Sequence, residues 1–150
     1  MPATVPRPRR LYNVDSAPTA ILGRVTRRLR YRLDGRLEAY GLTGVQWNLL
    51  ARLANENGLS QTALQQAMGI EGATLTNIVQ RLQREGWIER TCDTMDRRRQ
   101  RVWLTEKSRQ ILPEISRQVE KHRRDVQRGL SESELVTLVE LLQRIEGNLA

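Results

Sequence analysis

Apolar residues recur along most of this chain at spacings of three and four, and in one short stretch they alternate. From Ala20, Leu22, Val25, Leu29, Leu33 and Leu37 share one face of a predicted helix. Arg24, Arg27, Arg28, Arg32 and Arg36 fall mostly on the rest of its surface, and Gly41 is placed to end it. Thr43 can cap the next helix, which carries Trp47, Leu50, Leu53 and Ala54 and is broken by Asn57-Gly58. Ser60 caps a short helix from Gln61 to Met68, with Gly69 as its turn. A second helix runs from about Glu71 to Glu85 and stops at Gly86.

The period then changes. Trp87 to Cys92 reads as a strand, Thr94 to Arg99 as a polar loop, and Gln100 to Thr105 as a second strand with Val102 and Leu104 on one face. Helical spacing returns with Ile111, Ile115, Val119, His122 and Val126, although Pro113 marks a kink or a later start. His122 on that stripe reads as a packed side chain, not a sensor, and Cys92 as a small strand residue. The last helix opens with a capping box, Ser131 to Glu134, and carries Leu135, Leu138, Leu142, Ile145 and Leu149. No repeat is evident. The predicted fold class is mainly α with a small β-hairpin wing. Residues 1–18 form a basic, proline-rich arm, 41–105 a winged helix-turn-helix, and 19–40 with 106–150 the helices that dimerise.

Composition narrows the chemistry. With one cysteine and one histidine in 150 residues, neither an intrachain disulfide nor a Cys/His metal cluster can form. No apolar run is long enough for a membrane span, and the Arg-rich start lacks the apolar stretch of a secretory signal, so a cytoplasmic location is expected. There is no glycine-rich phosphate loop, no metal-ligand spacing and no nucleophile–base pair, so no cofactor, metal or catalytic residue is assigned and an enzyme is not expected. The formal charge is +8 and the pI near 10.9. That is the footprint of a polyanion partner. Nine arginines against three acids lie in residues 1–40, and five against three in 87–105. The two remaining segments balance.

A helix-turn-helix needs apolar residues that lock two helices around a bend, and Leu64, Met68, Ile70, Leu75 and Ile78 flank Gly69 accordingly. Leu75, Ile78, Val79 and Leu82 point inward. Ala73, Asn77, Gln80 and Arg84 then lie opposite, flanked by Thr74, Thr76 and Arg81. Such a small, polar face suits a major groove about 12 Å wide, where Asn and Gln pair with adenine and Arg with guanine or phosphate. The following hairpin, tipped with Arg97, Arg98, Arg99 and Arg101, makes a wing suited to the minor groove, and Asp96 can orient a guanidinium.

Gly69-Ile70-Glu71, the stretch from Leu75 to Trp87, and above all Asp96-Arg97-Arg98 followed by Leu104-Thr105-Glu106-Lys107 resemble the MarR family of winged-helix regulators, and within it the SlyA subfamily. The resemblance covers roughly residues 20–149. It implies an obligate homodimer with intertwined terminal helices on a pseudo-palindromic double-stranded DNA operator, typically a repressor. The wing aspartate and minor-groove arginine correspond to Asp96 and Arg98, and the reading helix to Gly72 through Arg81. Two positions depart from the pattern: Asn77 stands where the family often has Arg, and Gln65 where it usually has a small residue. The subfamily also implies a site for a small aromatic carboxylate such as salicylate, with Arg24, Trp47 and Arg90 at the matching positions. Alternatives are an A·T-preferring nucleoid-associated or antisilencing protein without ligand control, and a winged-helix protein-interaction dimer.

Overall fold

A computed structural model of the chain describes residues 17–92 and 100–149. Among these residues, six helices surround a small antiparallel sheet. Helix α1 (Pro18–Leu37) begins on a proline, whose fixed φ suits the first helical turn. A 3₁₀ turn over Glu38–Tyr40 continues it, and Gly41, at φ +68°, closes that turn as expected. Helix α2 (Gly44–Asn55) starts from a full capping box, in which the Thr43 hydroxyl accepts from the Gln46 amide and the Gln46 side chain accepts from Thr43 N–H at 2.9 Å. Helices α3 (Gln61–Met68) and α4 (Gly72–Arg84) follow, then strands β2 (Ile88–Cys92) and β3 (Gln100–Leu104). The long α5 (Glu106–Gln127) and α6 (Glu132–Gly147) complete the chain.

Three features differ from the sequence expectation. Leu59–Ser60 form a short strand, β1, pairing Leu59 with Val102 and Ser60 with Arg101, so the sheet has three strands in the order β1-β3-β2. Two residues are too few for a period to register. Thr105 caps α5 and is not part of the strand. Its hydroxyl accepts from Ser108 N–H as an N-cap while donating to the Gly86 carbonyl at 2.8 Å. Pro113 neither delays nor divides α5, which is helical from Glu106 through Gln127.

The core lies where α2, α3, α4 and the sheet meet. Leu49, Leu50, Leu53, Leu64, Val79, Leu82 and Val102 are fully buried, each burial being worth about 1.5–3 kcal/mol. Ser108, also fully buried, anchors α5 by donating to the Trp87 carbonyl. Burial fades away from this centre. Along α1, Leu37 is buried while Ile21 and Val25 are exposed, and along α5, Ile115 is buried while Val126 is exposed. Helix α6 buries no residue at all, although Val136, Leu138, Val139, Leu141 and Leu142 all lie on it.

Candidate nucleic-acid interface

The turn between α3 and α4 is built from backbone chemistry. The Ser60 hydroxyl accepts from Ala63 N–H at 3.1 Å to start α3. Gly69, at φ +61°, ends it by donating to the carbonyls of Gln65 and Gln66. Gln65, larger than the family pattern, lies beside Gly72, where a Cβ would stand 3.4 Å from the Gln65 side-chain oxygen, an ordinary contact.

Helix α4 is divided cleanly. Leu75, Val79 and Leu82 are buried and Ile78 is half-buried, while Ala73, Thr74, Thr76, Asn77, Gln80 and Arg81 are all exposed. The Thr76 hydroxyl donates to the Gly72 carbonyl at 2.9 Å. Among the described residues the Asn77 and Gln80 amides have no hydrogen-bond partner, so their donors and acceptors are open to a ligand. Arg81 pairs with Glu85 at 2.8 Å on an exposed face, a contact worth about 0.3–0.5 kcal/mol and easily exchanged.

The wing rises beside α4. Its tip, including Asp96, Arg97, Arg98 and Arg99, lies outside the described residues. Its base is held by a clamp that sequence reasoning missed. The Asn57 side chain accepts from Leu104 N–H at 2.9 Å, Gly58 N–H donates to the Val102 carbonyl at 3.1 Å, and Arg101 donates to the Gly58 carbonyl at 2.9 Å. The Trp103 ring lies directly over Gly58, while its indole N–H donates to the Thr91 hydroxyl at 2.9 Å. Arg101, exposed and read from sequence only as a DNA contact, thus also ties β3 to the turn before β1. The Asn57-Gly58 pair was visible in the sequence, but only as a helix breaker.

The three positions matched to an aromatic acid lie on three different elements. Arg24 is on α1. Trp47, on α2, lines a hollow with Arg109, Leu112 and Pro113. Arg90, on β2, donates to the Gln83 side chain at 2.6 Å. A different cleft of about 580 Å³ opens between α1, α2 and α5, walled by Leu29, Leu33, Val45, Ile70, Val119 and Val126. Thr26, Arg30, Asn48, Arg123 and the buried His122 are its polar lining residues. Burial holds the His122 imidazole below its ordinary pKa, and the guanidiniums of Arg36 and Arg32 reinforce this against the opposing Asp125 carboxylate. A lone polar residue on the apolar stripe of α5 was the signal for this cleft, but nothing in the spacing showed that α1 would lie opposite.

A family model described as MarR family matches residues 40–99, from the 3₁₀ turn through α2, α3, α4 and β2 to the wing tip. The transcriptional regulator PA3341 is 32% identical, with 87% of this chain and 96% of that chain covered at a TM-score of 0.76. The chain belongs to the MarR family. Its helix-turn-helix and wing are therefore those of a winged-helix transcriptional regulator. The transcriptional regulator SlyA is 25% identical over 87% of this chain and 92% of that one, TM-score 0.80. BpsR of Bordetella bronchiseptica, whose DNA binding is regulated by 6-hydroxynicotinic acid, shares the fold at 24% identity, 90% and 96% coverage and a TM-score of 0.83. No described helix of this MarR-family chain is long and apolar enough to cross a membrane.

Proposed function

We propose that this protein is a cytoplasmic, homodimeric, SlyA-like repressor that binds a pseudo-palindromic operator and is released by a small aromatic acid. The outward face of α4 carries the proposal: Ala73, Thr74, Thr76, Asn77, Gln80 and Arg81 form one exposed surface on a helix whose other face is buried. In this reading α4 enters the major groove, where Asn77, Thr74 and Gln80 read bases. The wing follows the adjacent minor groove through Arg98, oriented by Asp96, with Arg97, Arg99 and Arg101 on phosphates.

Dimerisation belongs to the helices of 19–40 and 106–150, with 41–105 left for DNA. Apolar side chains on α6, with Ile21 and Val25 on α1 and Val126 on α5, are a face that a second copy covers isologously. Two reading helices then stand about 34 Å apart, one turn of DNA. The cleft between α1, α2 and α5 is the place for the acid, because it sets apolar walls beside Arg30, Arg123 and His122. The regulation of BpsR by an aromatic acid supports that ligand class.

The test is selection of bound genomic fragments with and without salicylate, followed by anisotropy titration of the selected operator. Arg98→Ala is expected to lose most specific affinity with the dimer intact. A change below about 0.5 kcal/mol would reject the wing assignment. Affinity is also expected to fall steeply with salt as phosphate counterions are released.

A further inference from the structure

The outward side of α5 carries charges that nothing in the subunit uses. Arg117, Lys121 and Arg124 follow at spacings of four and three, so they form one stripe on the side of the helix opposite Ile115, His122 and Val126. All three are exposed, and Arg128 extends the stripe just past the end of the helix. Every acidic residue of α5 is engaged elsewhere. Glu106 is held by Arg109 at 3.2 Å, Glu114 by the Tyr40 hydroxyl at 2.7 Å, Glu120 by Arg123 at 2.9 Å, and Asp125 by Arg36 and Arg128. Arg117, Lys121 and Arg124 have no hydrogen bond or ion pair among the described residues. Like charges three and four residues apart on a helix repel, so the stripe weakens the element it stands on.

Its position separates it from the operator face. Ser108 fastens the start of α5 to Trp87, just beyond the end of α4. At 1.5 Å of rise per residue, the stripe lies about 14–24 Å further along the helix. It faces away from α1 and α2, which pack on the other side of α5. Its composition selects a polyanion over a protein. No exposed aliphatic or aromatic side chain stands on it to fill a partner's pocket, and lysine is depleted at protein interfaces. From Arg117 to Arg124 the stripe runs about 10 Å, the length of about three phosphates on one strand of a duplex.

We propose that Arg117, Lys121 and Arg124 bind the phosphate backbone of a second DNA duplex while α4 holds the operator, so that the protein bridges two DNA segments. This second contact lies beyond the operator reading, and the two are scored separately.

Full-length protein, biotinylated at its C-terminus and held on a streptavidin surface, is loaded with one equivalent of the selected operator fragment, unlabelled. A fluorescent duplex of unrelated sequence is then added at low salt. It should be retained, with log affinity falling against log salt at a slope of about −2.7, the value for three neutralised phosphates. With Arg117→Gln, Lys121→Gln and Arg124→Gln together, retention should weaken at least about tenfold while operator affinity stays within about threefold of the parent. Arg117→Lys with Arg124→Lys keeps the charge and should keep retention within about threefold, which a packing role for the guanidiniums would not give. An unretained duplex in the parent, or equal retention in the triple variant, would overturn the proposal. So would polyglutamate, a protein-like polyanion, binding the stripe more tightly than the duplex does. Operator affinity that falls tenfold or more in the triple variant would place the stripe on the operator itself and overturn it too. Failure of the unlabelled fragment to bind counts against the α4 reading alone, because the fluorescent duplex is still scored against the stripe variants.

Discussion

Replacing Gly58 by alanine tests whether the wing base is held as described. Gly58 is at φ +79°, where an L side chain is strained by about 1–2 kcal/mol. A Cβ there would lie 2.4, 2.6 and 2.7 Å from three carbons of the Trp103 ring. One response moves the ring and breaks the indole bond to Thr91. Another moves β3 away and breaks the bonds that join Gly58 to Val102 and Arg101. Overpacking of this kind costs about 1–3 kcal/mol. The smaller unfolded-state entropy of alanine returns about 0.4–1 kcal/mol. Gly58→Ala should therefore lose about 1–5 kcal/mol. With a urea m-value of about 2 kcal/mol/M, the midpoint should drop by about 0.5–2.5 M, measured at fixed protomer concentration because the chain is expected to dimerise. Adding Trp103→Val removes the clash but not the strain, so the double mutant should recover at least about 1 kcal/mol relative to additivity. A single-mutant loss below about 1 kcal/mol, or strict additivity, would refute the clamp.

The remaining predictions concern other joints. Thr105→Val removes both the α5 cap and the bond to the Gly86 carbonyl and should cost about 1–2 kcal/mol in the same urea assay. His122 faces Arg30, Arg32 and Arg36 on α1 and Asp125 and Arg123 on its own helix, and its folded pKa lies below the unfolded value. The unfolded chain therefore binds the proton first. Stability should fall as pH drops below about 6.5, by less than about 1.4 kcal/mol per pH unit, and His122→Gln should remove that slope in urea titrations. Leu138→Asp with Leu142→Asp should convert the dimer to monomer in sedimentation velocity, since both side chains are exposed on the unburied α6. A dimer that persists would place the interface elsewhere.

The local elements were legible in the sequence because their causes are local. The Thr43, Ser60 and Ser131 caps, the glycines at 41, 69 and 86, and the apolar periods of α1, α4 and α5 each act over one or two turns. The two faces of α4 follow from helical geometry alone, so the order of residues is enough to place Ala73, Thr74, Thr76, Asn77, Gln80 and Arg81 on the outward side. What tertiary structure decided are contacts between residues far apart in the chain. Strand β1 exists only because β3 lies beside it, and the wing clamp joins Asn57 and Gly58 to residues more than 40 positions away. The cleft follows the same rule. His122 becomes a cavity wall only where α1 and α5 pack side by side, while Arg24, Trp47 and Arg90 are kept on separate elements. Periodicity reports which way a side chain points from its own helix. Which neighbour it meets there is settled by the packing of the whole chain.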